Sequence, residues 1–262
     1  MTNLEQLFAD ELEVFRSEAE AGAQYFYTYL TFNALLADNE NYLKAVNRTP
    51  RFWKTVVSAL QVSFFMVLGR IFDQDQRKSN HNVDMLLGLA QRHPEIFSKS
   101  ALAARKRKDS RNADEWLDEY LKGVYEPTIE DFRRLRKHIR KYRRIYEHAY
   151  RDIRHKFYAH KGVAEEARIR ELFDKTKVRE LESLFVFLLK LHASLWQLFH
   201  NGRKPILRPI PYAVKRIMQR RVSPWQSRSI QEHVVEETTE FLLSFAGKAQ
   251  QRATADVAKR RR

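Results

Sequence analysis

The chain has no cysteine and little glycine or proline. Its 262 residues include seven glycines, seven prolines and no cysteine. The lack of cysteine excludes disulfides and thiolate metal sites, and it fits an intracellular protein. Because glycine, proline and alternating β-branched residues are scarce, a sheet is not expected. We predict an all-α protein of the cytoplasm, long enough to bury a sizeable core.

The sequence also has no long, uninterrupted apolar run. The most apolar window, Val56 to Phe72, contains Ser58, Gln61, Ser63 and Arg70. We interpret this window as too short and too polar to span a bilayer. The first thirty residues contain acidic residues and no basic segment before an apolar one, so a signal peptide is not expected. These features predict a soluble protein without stable membrane insertion.

Acidic residues are fewer than basic residues in this sequence. Against 48 Lys and Arg there are 33 Asp and Glu, which gives a net charge of +15, and such an excess favours nucleic acid or an anionic membrane as a partner. Between Arg133 and Lys161 there are twelve basic and two acidic residues, or +10 of the +15. Like charges four residues apart on a helix repel, so we favour an anion-binding face over a merely solvated one. The residues predicted to bind RNA are Arg136, Arg140, Lys141, Arg143, Arg144, Arg151 and Lys161.

Apolar residues recur at steps of three and four, which is typical of amphipathic helices. The main predicted helices are 4–36, 51–72, 128 to about 160, and 176–200. The second is apolar on nearly every side, so we expect it at the centre of the bundle. Thr128 and Asp131 form a capping box that begins the third helix, and Gly162 can end it.

We predict an up-and-down helical bundle over residues 1–200 with a short helical insertion at 73–127. The part of the insertion from Lys99 to Asn112 is charged and is expected to be an exposed, mobile link. Residues 201–262 are predicted to form a basic, helical C-terminal extension. We favour an additional RNA contact for this extension over a membrane-surface helix.

The motif at the end of the long basic helix is Arg154-His155-Lys156-Phe157-Tyr158-Ala159-His160. A guanidinium binds a phosphate through two donors, and an imidazole exchanges a proton near neutral pH. On a regular helix Arg154 and His160 would lie about 120° apart. Either the helix unwinds before His160 or a second protomer supplies the partner, and both favour a dimer. The structural alternative is that Arg154 caps terminal carbonyls and His160 is hydrogen-bonded in the core.

This string resembles the Arg-polar-x-x-x-x-His signature of the HEPN superfamily (higher eukaryotes and prokaryotes nucleotide-binding), particularly its abortive-infection branch. Leu68-Gly69-Arg70-Ile71-Phe72-Asp73 and the segment Asn82 to Leu87 resemble the same branch. The resemblance covers roughly residues 5–200. It departs at His155, where the family usually has Asn or Asp.

The resemblance implies an all-α, usually dimeric bundle in which two copies of the motif form one composite site that cleaves RNA without a metal. Arg154 would bind and stabilise the scissile phosphate, and His160 would act as general base or acid. The 2′-hydroxyl would be the nucleophile, leaving a 2′,3′-cyclic phosphate. The supporting residues predicted around this site are His155, Lys156, Tyr158, Arg70 and Asp73.

Other combinations of residues point away from further chemistry. Arg70 and Asp73 are interpreted as a buried ion pair rather than a catalytic dyad. His148, His155 and His160 have no carboxylate at ligand spacing, so no metal site is predicted. The absence of a glycine-rich phosphate loop predicts no cofactor. Most tyrosines of the basic helix are expected to pack into the helix seam, although one or two could stack on unpaired bases.

Three hypotheses remain open from the sequence. The first is a HEPN-type endoribonuclease that acts in phage defence or as a toxin, as a homodimer and with a possible neutralising antitoxin or defence partner. The second is a catalytically inactive HEPN bundle that binds RNA or a protein. The third is a basic helical protein, unrelated to this family, that binds DNA or a membrane.

Overall fold

The computed structural model describes residues 2–74, 81–154, 176–208, 214–219 and 228–260, and within them the protein is all-α, as predicted. No strand occurs in these ranges. The ten α-helices in the described part are α1 (Asn3–Asp38), α2 (Glu40–Val46), α3 (Pro50–Phe72), α4 (Val83–Arg92), α5 (Lys99–Asp109), α6 (Leu117–Lys122), α7 (Ile129–Ile145), α8 (Val178–Asn201), α9 (Val214–Gln219) and α10 (Ile230–Arg260). Short 3₁₀ turns lie at Pro94–Phe97 and Ala113–Glu115.

The chain forms two compact units. The first comprises Met1–Ala19 and Val67–Pro211, and the second comprises Glu20–Met66 and Tyr212–Arg262. Helices α1 and α3 each contribute residues to both units. The predicted division into 1–200 and 201–262, with an insertion at 73–127, stays a prediction.

The first unit has an aromatic core. Phe8 packs against Phe97 and Phe199 with ring centroids 5.1 and 5.0 Å apart, and Phe97 lies 5.5 Å from Phe132. All four side chains are almost fully buried. Buried aromatic pairs contribute about 0.5–1.5 kcal/mol beyond their burial, so this core connects α1, α7 and α8.

The second unit has a separate core around Phe32, Tyr42, Trp53 and Leu242. Asn39 begins α2 by accepting a hydrogen bond from the Tyr42 amide, and α2 packs on α10. Helix α10 continues to Arg260. In the described part of the C-terminal extension, α9 and α10 are helical, whereas residues 202–208 are not.

The long basic helix begins as predicted and then changes type. The Thr128–Asp131 capping box is present. After α7, residues Tyr146–Tyr150 form a π-helical turn in which the Arg151 amide donates to the Tyr146 carbonyl, five residues earlier. Such turns occur frequently at functional sites. The side chains buried along this helix are Phe132, Leu135, Ile139, Tyr142, Tyr146, Tyr150 and Ile153.

The prediction of an exposed, mobile link from Lys99 to Asn112 is wrong. Most of this segment is helix α5, which begins after Ser98, whose hydroxyl accepts the Ala101 amide. Alanine and leucine in the first turns favour a helix despite the later charges. Leu102 and Arg105 are buried.

Helix α3 is not buried on every side. Phe52 is 61% exposed, whereas Phe64, Phe65 and Leu68 are buried, because an apolar side chain is buried only where another element covers it. By length and composition alone α3 and α8 could cross a membrane, contrary to the interpretation of Val56 to Phe72 as too short and too polar. The core helix of a soluble protein passes the same test.

Candidate active site at Arg154

Arg154 lies against the last turn of α3. Its Nη1 donates to Asp73 Oδ2 at 2.6 Å, and the Arg154 side chain is 13% exposed. A Cβ atom on Gly69 would lie 2.3 Å from Arg154 Nε. The guanidinium therefore occupies the space that a side chain at position 69 would fill. Burial lowers the pKa of Arg154, but the neighbouring Tyr146 hydroxyl and Asp73 carboxylate outweigh burial and raise it.

Asp73 is itself held by its neighbours. Its amide donates to the Gly69 carbonyl at 2.8 Å, and its carbonyl accepts from Asn82 Nδ2 at 3.1 Å. The Asn82 side chain also accepts the Asp84 and Met85 amides, which begins α4. The segments around Leu68–Asp73 and Asn82 thus meet at Arg154.

Tyr146 forms another wall of this site. Its ring stacks on Phe72 with centroids 5.6 Å apart. Burial raises the pKa of the Tyr146 hydroxyl, and the neighbouring Arg154 guanidinium acts in the opposite direction. Arg154 Nε is buried and has no hydrogen-bond partner among the described residues. Buried polar groups are usually hydrogen-bonded, and an anionic oxygen beside Arg154 is one kind of group that would satisfy this nitrogen.

A family model for AbiU2, of the HEPN group, matches residues 5–213. The chain belongs to this abortive-infection-type HEPN family. Comparisons with curated proteins and with solved structures gave no match. The family match rules out the hypothesis of an unrelated basic helical protein, and it confirms the resemblance seen in the motif.

The ion pair expected between Arg70 and Asp73 is replaced by two others. In this AbiU2-family chain, Arg70 Nη2 and Nε donate to Glu18 Oε2 at 2.6 and 2.9 Å. The Arg70 side chain is 49% exposed. Asp73 follows the last residue of α3 and pairs with Arg154. The prediction was wrong because residues three apart near a helix end need not face each other once the helix stops.

The exposed basic residues of α7 and the following turns form one face. We call this the basic face; its members are Lys137, Arg140, Lys141, Arg144 and Arg151. The four members on α7 are spaced by three, four and seven residues, which places them together, away from the buried stripe; Arg151, after the π-helical turn, is exposed as well. No ion pair within the described part of the chain involves them, so their charge is available to a polyanion.

Two residues predicted to bind RNA do not belong to the basic face. Arg143 is 4% exposed and donates to Asp84 Oδ2 at 2.5 Å. Arg136 is half-buried and donates to Gln91 at 2.9 Å. Both side chains connect α7 to α4. Positions 136 and 143 are one heptad apart, so both side chains lie on the same side of α7. Helical periodicity thereby separates these two arginines from the exposed cations.

The tyrosines of the basic helix pack inward. Tyr142 stacks on Phe187 with ring centroids 4.0 Å apart. The Tyr150 hydroxyl donates to the Lys177 carbonyl and accepts the Lys177 amide, each at 3.1 Å. With Tyr146 also buried, the predicted packing into the helix seam is confirmed for these three residues.

Five of the predicted site residues lie outside the described residues. They are His155, Lys156, Tyr158, His160 and Lys161. The relation of Arg154 to His160 stays a prediction. Among the described residues, no group of three or more His, Asp or Glu side chains could hold a metal ion.

Sequence reasoning missed the roles of Gly69 and Tyr146. A glycine inside an apolar helix costs about 1 kcal/mol relative to alanine, so Gly69 in α3 was the available signal. For Tyr146 no such signal existed, because its neighbour Arg154 comes near only through the π-helical turn.

Proposed function

We propose that the protein is a metal-independent endoribonuclease of the HEPN type that acts in abortive infection against phage, or as a toxin. The observation that carries the proposal is the guanidinium of Arg154. It is fixed by Asp73 over Gly69, and it follows a helix whose outer side is the basic face. Family membership supports the same activity.

In this proposal Arg154 binds the scissile phosphate and stabilises the negative charge that develops on it. His160 acts as general base toward the 2′-hydroxyl or as general acid toward the leaving 5′-oxygen. The 2′-oxygen attacks phosphorus and the bond to the 5′-oxygen breaks. The products are a 2′,3′-cyclic phosphate and a 5′-hydroxyl.

The basic face gives the RNA backbone a path toward Arg154. Its cations neutralise phosphates and release counterions, which makes binding strong at low salt. Because the tyrosines of α7 are buried, the proposed contacts on this face are to phosphates rather than to bases. Lys161, and the supporting residues His155, Lys156 and Tyr158, extend the proposed site beyond the described residues.

We further propose that the active form is a cytoplasmic homodimer with one composite site, and that an antitoxin or defence partner restrains it. The composite site is proposed because Arg154 and His160 would lie about 120° apart on a regular helix; if the helix unwinds before His160, one protomer supplies both residues. Sedimentation of the full chain at micromolar concentration tests this step. A monomer would count against a shared site.

The direct test is cleavage of an end-labelled single-stranded RNA by the full chain in the presence of EDTA. We expect the parent to leave cyclic phosphate ends, and Arg154→Ala and His160→Ala to lose about 100-fold or more of the rate. Arg151→Ala, which removes one cation of the basic face, is the matched control and should lose much less. If both motif variants cleave as fast as the parent, the proposal fails.

A mixing experiment separates a shared site from two independent ones. Heterodimers of Arg154→Ala and His160→Ala chains contain one intact arginine and one intact histidine in trans. Recovery of cleavage is the expected result for a site built across the dimer. No recovery would assign both residues of each site to one protomer.

The second candidate is a catalytically inactive HEPN module that binds RNA or a protein. Two observations favour it: His155 stands where the family usually has Asn or Asp, and Arg154 already has a carboxylate partner in the chain. This candidate requires a parent protein that binds RNA without cutting it. In that case Arg154→Ala would lower stability rather than remove an activity.

A further inference from the structure

A second cluster of cations lies at the opposite end of α7 from Arg154. The segment after α8, residues 202–208, runs beside the first turns of α7 and encloses a cavity of about 250 Å³ with it. Arg134 and His138 line the cavity from α7, and Lys204 and Arg208 line it from the segment. Lys204 and Arg208 belong to the C-terminal extension for which an RNA contact was predicted, whereas Arg134 and His138 are not among the residues predicted to bind RNA.

The segment 202–208 is held in place at both ends. Gly202 has a φ of 56°, and a Cβ there would lie 2.6 Å from Val124 Cγ1. The Gly202 carbonyl accepts the Tyr125 amide at 2.7 Å, and the Ile206 carbonyl accepts the Ser194 hydroxyl at 3.1 Å. The cations of the segment are therefore presented from an anchored backbone.

The charge in the cavity is positive overall. Its carboxylate, Asp131, is 4% exposed and already accepts from Tyr125, Thr128 and Arg134. Lys204 lies over the Tyr125 ring at 5.2 Å, and no described carboxylate forms an ion pair with Lys204 or Arg208. Three permanent positive charges thus face one carboxylate, and a site of this kind suits a phosphate group.

We propose that this cavity, the α7 exosite, binds a backbone phosphate of the RNA away from the site of cleavage. This inference rests on the proposed function for the identity of the polyanion. From Arg134 to Arg154 the helix rises roughly 30 Å, so only an RNA that spans this length occupies both sites. The basic face lies along the path between them.

The exosite has a consequence for substrate length. Removing its charge weakens the binding of a long RNA and leaves a short RNA at Arg154 unaffected. For a long RNA the KM rises while kcat stays the same, because the exosite touches no reacting atom. A structural role for Lys204 and Arg208 would not produce this dependence on length.

The test measures binding of a 30-nucleotide and a 6-nucleotide single-stranded RNA to the full chain by fluorescence anisotropy, in the His160→Ala background so that the RNA stays intact. For Lys204→Ala/Arg208→Ala we expect about tenfold weaker binding of the long RNA. The slope of log affinity against log salt should become shallower by about 0.7, the value for one lost phosphate contact on a single strand. Binding of the short RNA should be unchanged.

Lys108→Ala/Arg111→Ala removes the same charge from an exposed part of the same unit and is the matched control. Equal losses from both double variants would reduce the effect to bulk charge and overturn the exosite, as would no loss from either. Lys204→Arg/Arg208→Lys keeps both charges and should bind like the parent. If this variant also fails to bind, local folding and not charge explains the effect, and the exosite is overturned.

The failure of the exosite and the failure of the proposed function give different results. If the parent cleaves RNA but Lys204→Ala/Arg208→Ala binds the long RNA normally, the exosite alone is wrong. If the parent never cleaves RNA but this variant still loses affinity for the long RNA only, the exosite stands and the assignment of catalysis falls.

Discussion

Arg105 is a buried arginine of the first unit and Arg154 is a half-buried one, and they differ in how completely the chain satisfies them. The Arg105 side chain is 5% exposed; its Nη1 donates to Glu5 and to the Ile96 carbonyl, and its Nη2 donates to the Phe199 carbonyl. Its guanidinium also lies 4.2 Å above the Phe199 ring. For Arg154 the described hydrogen bond is the one to Asp73, and its side chain is 13% exposed.

The pKa shifts of Arg105 and Arg154 also differ, and they have opposite directions. Burial lowers the pKa of Arg105 despite the Glu5 carboxylate, whereas Tyr146 and Asp73 raise the pKa of Arg154 against a smaller loss of water. Nε of both arginines is buried without a hydrogen-bond partner among the described residues, but Arg105 has both of its terminal nitrogens occupied and holds the fold together. An arginine with one anchored nitrogen and a partly open side is positioned to bind something else.

The largest expected effect comes from Arg105→Ala. It leaves the Glu5 carboxylate buried without its cation, and removing one partner of a buried ion pair costs about 3–5 kcal/mol. We expect the free energy of unfolding, from urea denaturation followed by circular dichroism, to fall by this amount. Arg107→Ala, on the same helix in an exposed pair with Asp114, should leave the midpoint unchanged. If Arg154→Ala destabilises as much as Arg105→Ala, the distinction between the two arginines is lost.

Gly69→Ala tests the comparison by displacing the Arg154 guanidinium while the arginine itself stays in place. The added Cβ would lie 2.3 Å from Arg154 Nε and within 2.4 Å of Cδ and Cζ, so the guanidinium must move away from Asp73. We expect about a 100-fold loss of RNA cleavage, similar to the removal of a transition-state donor. Alanine is favoured over glycine inside a helix, so the α3 helix itself should persist.

Gly88→Ala is the matched control, since its Cβ would meet only the ends of two flexible side chains, Arg92 Nη1 at 3.1 Å and Arg136 Nη2 at 3.6 Å. Cleavage by Gly88→Ala should equal that of the parent. A Gly69→Ala protein with full activity would mean that the position of Arg154 over α3 has no part in the reaction.

Asp73→Asn is expected to have a smaller effect. The amide oxygen still accepts a hydrogen bond from Arg154 but without the charge, and charge-assisted bonds are roughly twice as strong as neutral ones. We expect kcat to fall about tenfold, which corresponds to about 1.4 kcal/mol, with unchanged affinity for long RNA. Asp73→Glu should recover part of the rate. A change in affinity alone would assign Asp73 to RNA binding rather than to the positioning of Arg154.

These contacts show which parts of the molecule periodicity can predict. The all-α fold, the ends of α1, α3 and α8, and the capping box of α7 were predictable, because they depend on local spacing. Helix α5 was not predicted because its run of basic residues was given more weight than the strong helix formers, alanine and leucine, in its first turns. The partner of Asp73 was missed because a pairing between residues 81 positions apart depends on tertiary packing.

The basic face shows a similar limit. Net charge and spacing predicted a cationic helix but assigned Arg143 to RNA binding, although Asp84 holds it in the interior. The π-helical turn also lay beyond prediction. It changes the direction of the described side chains that follow it, Arg154 included, and no residue type in Tyr146–Tyr150 predicts a π-helical turn.

His192 extends the comparison to a buried base that has no acid close enough to keep it charged. Its Nε2 is buried and has no hydrogen-bond partner among the described residues. Burial, with added repulsion from Arg16 and His200, lowers the pKa of His192 to about 4 although Glu13 acts in the opposite direction. Arg105 and Arg154 stay protonated because an arginine side chain keeps its charge throughout the physiological pH range, whereas burial without a close acid lowers the pKa of the His192 imidazole.

The smallest expected effect is therefore a pH dependence of stability. The folded pKa of about 4 lies below the unfolded value near 6.5, so between these values the unfolded chain binds more protons and stability falls as pH falls. From pH 7 to pH 5 we expect His192 to contribute a loss of about 1 kcal/mol in the free energy of unfolding, since the side chain is partly solvated. His192→Gln should flatten the urea-denaturation curve over this range. If parent and variant lose stability in parallel, the imidazole is protonated in the folded protein as easily as in the unfolded chain, and burial without a partner does not by itself remove a charge from this core.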